Sequence, residues 1–355
     1  MSQKEWPKTK CFSRMVKNNT WIIIVLKTLL QDFFPLQQKT EINRSKNRKG
    51  FPVIRLGVLL VILFLTHGFF TGYPNPAIGE ENIRKAILAG TWYPKDKNAL
   101  EKSIQGYLSG ATVEAPKGRI RAIIVPHAGH RYSGQVAAYA YSRLQGMVVK
   151  RVVMIGPCHR FGFKGASVNL QKGYQTPLGI VPVDQACAKE LIDAGHHINW
   201  IPQAHAREHS LEIQLPFLQI ALGEFQIVPI LMGAQDLKTC TDLAQVLVQT
   251  IKNRDHTLIL ASTDLSHFHT YDQAKALDER FIKYVLDFDP EGLAHALSDG
   301  VVEACGGGPV ITTLLSGKAL GANRAVGLRY ANSGDVTGDH KRVVGYFSAI
   351  LLEKQ

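Results

Sequence analysis

Five stretches of this chain carry residue types that bind metals or move protons. "LILASTDLSHFHTYD" (258–272) runs apolar and then breaks into Asp264, His267 and His269. "RAIIVPHAGH" (121–130) ends its apolar run at His127, and "RVVMIGPCHR" (151–160) ends at Cys158 and His159. "VVEACGGGPVITTLL" (301–315) sets Cys305 before three glycines and a proline, and "HAREHSLEIQLPFLQIAL" (205–222) sets His209 ahead of Leu211, Leu215, Leu218 and Leu222. Imidazole, thiolate and carboxylate are the side chains of transition-metal binding and of acid–base catalysis.

The elements around these residues alternate strand and helix signals, the pattern of an α/β fold. The expected architecture is one sandwich domain, residues 80–355, with a central mixed or mostly parallel sheet flanked by helices and with strand ends forming the pocket. Strands are predicted at 121–126, 151–156, 225–233, 257–262, 325–330 and 342–351, and a helix at 133–144 begun by Ser133. In open α/β sheets, ligands bind beyond the carboxyl ends of the strands, where loops converge on a rigid frame. His127, His159 and Asp264 each follow such an end. The leucine spacing predicts a helix that starts near His209 and is kinked by Pro216. His209 itself is open to a capping role or a pocket role. Cys305 is expected just before a helix, where the macrodipole would stabilise its thiolate. The glycines after it let the backbone approach a bound group. The five cysteines have no CxxC pairing, which speaks against a zinc finger or a disulfide framework. Cys187 and Cys240 read as packing, Cys158 stays open, and His269 has no assigned role.

The formal charge of +12 belongs mostly to the amino terminus: residues 1–55 hold twelve Lys/Arg against Glu5, Asp32 and Glu41, which is +9 and leaves +3 for the rest. A body that balanced carries no electrostatic footprint for nucleic acid, and no nucleic-acid partner is expected. Residues 1–52 form a basic leader without an assigned role. Within 53–73, "LGVLLVILFLTHGFF" (56–70) is short for a spanning helix and suits a signal peptide or membrane anchor. The basic residues before it predict the amino terminus inside and the main domain anchored or exported. Without a genuine leader the domain would be cytoplasmic.

Seven motifs, in order, resemble those of the Memo family, whose prokaryotic members are called AmmeMemoRadiSam system protein B. They are "PHAGHRYSG" (126–134), "GPCHR" (156–160), "TPLGIVPVD" (176–184), "EHSLEIQLPFL" (208–218), "STDLSH" (262–267), "EACGGGP" (303–309) and "SGDVTGD" (333–339), and the resemblance begins at "AGTWYP" (89–94). It implies a fold like that of the class III extradiol ring-cleavage dioxygenases and a pocket that binds iron or copper. His127, His159 and Cys305 match the family's metal ligands. Asp264, His267 and Trp92 match further pocket residues, and His209 falls in a motif bordering the pocket. The resemblance also implies association with a radical-SAM protein and an AMMECR-like protein.

Two imidazoles and one thiolate would leave open positions on a metal, as the two-His, one-carboxylate set does in non-heme iron oxygenases, and the softer sulfur favours redox work. In that scheme Asp264 orients a ligating imidazole, His267 is an acid or base, and His209 is a further catalytic candidate. The leading expectation is an iron- or copper-dependent oxidoreductase acting on an unknown small molecule or peptide. One alternative is a pocket that holds a phosphorylated peptide or other anion without turnover. The other is a hydrolase with Cys305 as nucleophile and His267 or His209 as base.

Overall fold

A computed structural model describes residues 82–112 and 117–353. The basic leader (1–52) and the signal or anchor segment (53–73) lie outside the described residues. Among the described residues no helix is long and apolar enough to cross a membrane.

The strands, in chain order, are β1 (Ile83–Arg84), β2 (Arg119–Val125), β3 (Arg151–Pro157), β4 (Ala166–Val168), β5 (Gly173–Thr176), β6 (Gly179–Pro182), β7 (Ile198–Asn199), β8 (Gln226–Met232), β9 (Thr257–Ser262), β10 (His267–His269), β11 (Arg324–Asn332) and β12 (Val343–Glu353). Nine of them form one mixed sheet in the order β10-β12-β2-β9-β3-β8-β4-β7, with β11 paired to β12; β1, β5 and β6 make a small second sheet. The middle four, β2, β9, β3 and β8, run parallel. Their sequences show why: β3 reads RVVMIGP and is buried from its second residue to its last, as a strand covered on both faces must be.

Helices cover that sheet. Helix α1 (Lys97–Ser109) is capped by Asp96, whose carboxylate accepts from the Ala99 N–H at 2.8 Å, and it buries Leu100, Ile104 and Leu108 four residues apart. Helix α2 (His130–Tyr141) packs on β2, β11 and β12, and α3 (Leu215–Leu222) packs against α1 and α2. Helix α4 (Leu237–Ile251) packs on α5 (Gly307–Ala319), which crosses β9, β3 and β2. Every residue of α5 from Gly307 to Leu314 is buried, consistent with a helix held between the sheet and α4.

Three sequence expectations change. Helix α2 starts at His130, three residues before Ser133, whose hydroxyl instead donates to the Ala128 carbonyl. The leucine-spaced helix starts at Leu215, preceded by a 3-10 turn over Glu212–Gln214, so His209 sits in a loop. Pro216 falls in the first turn of α3, where its missing N–H costs nothing, and it does not kink the helix.

Candidate metal centre

Because β9 lies between β2 and β3, Asp264 leaves the sheet between His127 and His159. The two imidazoles meet edge-on with centroids 5.1 Å apart. Cys305 arrives from the loop before α5, its Sγ 3.1 Å from His127 Nε2. One nitrogen from each imidazole and the thiol sulfur lie within 4.8 Å of one another, a group able to hold a metal ion.

Hydrogen bonds fix which nitrogens are offered. The Ser210 carbonyl can only accept, and it takes the Ser262 hydroxyl proton at 2.6 Å. Ser262 Oγ then accepts from Gln214 Nε2 at 2.8 Å and from His127 Nδ1 at 3.0 Å. The Gln214 amide is itself oriented, since its nitrogen donates to the Pro126 carbonyl and its oxygen accepts from the Tyr141 hydroxyl. His127 therefore carries its proton on Nδ1 and turns a bare Nε2 toward Cys305.

His159 is fixed in the same sense by a carboxylate. Its Nδ1–H donates to Glu208 Oε1 at 2.9 Å, and its backbone N–H donates to Glu208 Oε2 at 2.6 Å. Glu208 Oε1 also accepts the N–H groups of His209 and Ser210. Burial opposes the charge on Glu208, but the His159 hydrogen bonds and the His159 and His209 charges outweigh it and hold the carboxyl down to about 2. His159, Glu208 and His209 form a second group with ligand atoms in range. The oxygens of Glu208 are already filled by these donors, which suits it to orienting a ligand rather than being one.

Asp264 plays a different part from the one expected. Its Oδ1 accepts the backbone N–H groups of His127, at 2.7 Å, and Ala128, at 3.2 Å, so it grips the main chain of a candidate ligand and not an imidazole ring. Burial raises its pKa to about 6, against the His267 charge and those two hydrogen bonds. Its own N–H points at Cys305 Sγ at 3.3 Å, and the Cys305 N–H returns to its carbonyl at 3.3 Å. Gly306 permits this approach, since a Cβ there would strike the Ser262 carbonyl and Thr263. Gln235, in the loop three residues past β8, clamps the far side: its amide donates to the Cys305 carbonyl at 2.9 Å and accepts from the Gly308 N–H at 2.8 Å.

At Cys305 burial works against the thiolate that the helix terminus was expected to favour. Cys305 stands one residue before the helix cap, and burial together with the Asp264 charge pushes the thiol well up. Burial and the charges of His159, His209 and His267 push His127 far down. Burial thus favours the neutral form of both groups, and a bound cation would reverse that balance for the thiol.

His209 and Trp92 close one side. Trp92 lies 4.7 Å from His209, which stacks on His159 at 4.4 Å and meets His127 edge-on at 5.2 Å. Burial lowers the pKa of His209 to about 4 despite the Glu208 charge. His267 donates Nδ1–H to the Leu265 carbonyl at 2.7 Å, and its imidazole lies close enough to act electrostatically on both His127 and Asp264. His269 instead pairs with Glu303 at 2.9 Å. All seven candidate residues thus belong to one neighbourhood. Sequence reasoning passed over Glu208, Gln214, Ser262 and Gln235. For the first two the available signal was a glutamate and a glutamine set among the leucines of a buried segment.

The family model described as Memo-like protein matches residues 84–350. The chain belongs to the Memo family. It is 36% identical over 270 residues to a MEMO1 family protein of Nitrosopumilus maritimus, covering 74% of this chain and 98% of that one. It is 38% identical over 276 residues to one from Ignicoccus hospitalis, covering 74% and 96%. Among solved structures, an uncharacterised protein of Escherichia coli K12 aligns with a TM-score of 0.45 and 12% identity over 65% of this chain and 99% of that one. The Memo match spans every residue of the centre, from Trp92 to Cys305.

Proposed function

We propose that this Memo-family chain is a metal-dependent oxidoreductase whose iron or copper is held by His127 Nε2, His159 Nε2 and Cys305 Sγ. The observation that carries the reading is the convergence of three ligand atoms within 4.8 Å, with the Nδ1–H of each imidazole committed to a buried acceptor. Two borderline nitrogens and one soft sulfur suit iron or copper better than magnesium or calcium. When bound, such a metal would supply one-electron chemistry and open positions for dioxygen and substrate.

The chain's own residues would then do the rest. His267, with its Nδ1–H tied to its own loop and Nε2 not engaged there, is placed to take or return a proton. Asp264 holds the His127 main chain, and Trp92 with His209 forms an aromatic wall on one side of the imidazoles. The test is elemental analysis of the full chain purified without added metal or chelator, beside His127→Ala and Cys305→Ala. Near-stoichiometric iron or copper, lost in both variants, supports the reading. A wild-type chain that stays metal-free after anaerobic reconstitution overturns it.

A further inference from the structure

One residue at the rim of this centre is held in an unfavourable backbone conformation. Phe268, next to His267, has a φ of 65°, which an aromatic residue adopts only at a cost. The pairing of β10 with β12 shifts register between His267 and His269, and this irregularity sets Phe268 out with its residue 60% exposed. Its ring meets the His267 imidazole edge-on at 5.7 Å. Over the same ring, with Cζ 4.9 Å from its centroid, lies the guanidinium of Arg342.

Arg342 forms no ion pair among the described residues. The carboxylates of the loops around it are engaged elsewhere: Glu303 with His269, Asp335 with the Tyr271 hydroxyl and the Asn332 N–H, and Asp339 with the Lys341 N–H. The loop that carries Arg342 is nevertheless anchored. Tyr271 N–H donates to the His340 carbonyl at 2.9 Å, and the two rings lie 4.5 Å apart, tilted by 34°. A guanidinium that lies over an aromatic ring and has no carboxylate partner can offer N–H groups to a ligand, and those groups fit a carboxylate or phosphate two at a time.

We propose that Arg342, lying over the Phe268 ring beside His267, recognises an anionic group, and that the ligand of this centre is a small molecule bearing a carboxylate or phosphate on an apolar body. The proposal rests on the reading of the centre as a substrate site. Phe268 offers the apolar contact next to His267, and Arg342 sets which end of the ligand faces outward. Strain at a bulky residue that contributes little burial is explained when that residue is kept for a ligand.

Calorimetric titration of the full chain with benzoate, phenyl phosphate and neutral benzyl alcohol tests this. The expected result is binding of at least one anion about tenfold or more tighter than the alcohol, the order of the two anions separating carboxylate from phosphate. Arg342→Gln should erase the preference without changing the melting temperature, and Arg342→Lys should keep part of it. Phe268→Gly should raise the melting temperature by relieving the positive φ, yet weaken all three ligands. The preference should survive treatment of the wild-type chain with a chelator, which strips metal and leaves every side chain in place. A preference that persists in Arg342→Gln overturns the proposal, as does one that disappears on chelation, because the anion would then be bound at the metal position. The elemental analysis reports separately on the redox reading, so failure of one is distinguishable from failure of the other.

Discussion

Glu208 holds His159 twice: one carboxylate oxygen takes the ring Nδ1–H at 2.9 Å and the other takes the backbone N–H at 2.6 Å. A side chain and its own main chain are thereby fixed by one buried, ionised group. Carboxylates in this position set the tautomer of a ligating histidine and raise its basicity. Glu208→Gln replaces the anion with a neutral amide of the same shape. The expected outcome is a 10- to 100-fold loss of metal affinity, on the order seen when such orienting partners are removed. Competition with a chelator of known affinity measures it, and an unchanged dissociation constant would remove Glu208 from the account.

Ser262 does for His127 what Glu208 does for His159, with neutral groups. Ser262→Ala strands two buried donors, His127 Nδ1–H and Gln214 Nε2–H, and deprives the Ser210 carbonyl of its proton. At about 1–3 kcal/mol for each buried unsatisfied group, a loss of at least 2 kcal/mol is expected in urea unfolding. Metal affinity should fall as well, because the imidazole becomes free to change tautomer. A stability loss with metal affinity intact would mean that Ser262 serves only the core.

The contrast between these two histidines and their holders shows how far the sequence could be read. His127 and His159 were legible because each follows a continuous apolar run, and a parallel strand in this fold delivers its next residues to the pocket. Cys305 was legible through the glycines that follow it. The partners were not. Glu208 is 49 residues from His159, and Ser262 is 135 from His127, so their pairing depends on the strand order of the sheet. His209 was expected at a helix start because Leu211, Leu215 and Leu218 keep helical spacing. They are indeed buried, but the turn before Leu215 is 3-10, and buried Glu212 and Gln214 there answer to long-range partners rather than to helix periodicity.

Acid should destabilise the fold through two buried histidines. Burial lowers His130 to about 4 and His205 to about 3 from the ordinary 6.5. Below pH 6.5 the unfolded chain takes up these protons and the folded chain does not. The associated stability is therefore complete above 6.5 and is lost progressively as pH falls toward the folded values. Each group contributes a slope of about 1.4 kcal/mol per pH unit in that window. His130→Gln keeps a donor for the Ile213 carbonyl, 3.0 Å from His130 Nε2, and cannot titrate. Urea midpoints measured from pH 7.5 to 5 should fall less steeply in this variant. Equal slopes would contradict the assignment.

Trp92 reaches His209 through a buried anchor on the other side of the chain. Glu212 Oε2 pairs with Arg84 Nη1 at 2.5 Å, while Oε1 accepts the N–H groups of Ile87 and Leu88 and the Tyr93 hydroxyl. Arg84 in turn donates to the Glu208 and His205 carbonyls, so one ion pair ties the segment bearing Trp92 to the loop bearing Glu208. Removing one partner of such a pair leaves an uncompensated buried charge, and Arg84→Met is expected to cost about 3–5 kcal/mol. Replacing both, as in Arg84→Met with Glu212→Leu, should recover a large part of that loss, because apolar pairs often match buried ion pairs in stability. The double variant still lacks an acceptor for the Ile87 and Leu88 N–H groups. Hydrogen exchange over residues 87–93 should therefore stay fast in the double variant even where its melting temperature recovers. Slow exchange there would show that Glu212 stabilises the fold without presenting Trp92 to the centre.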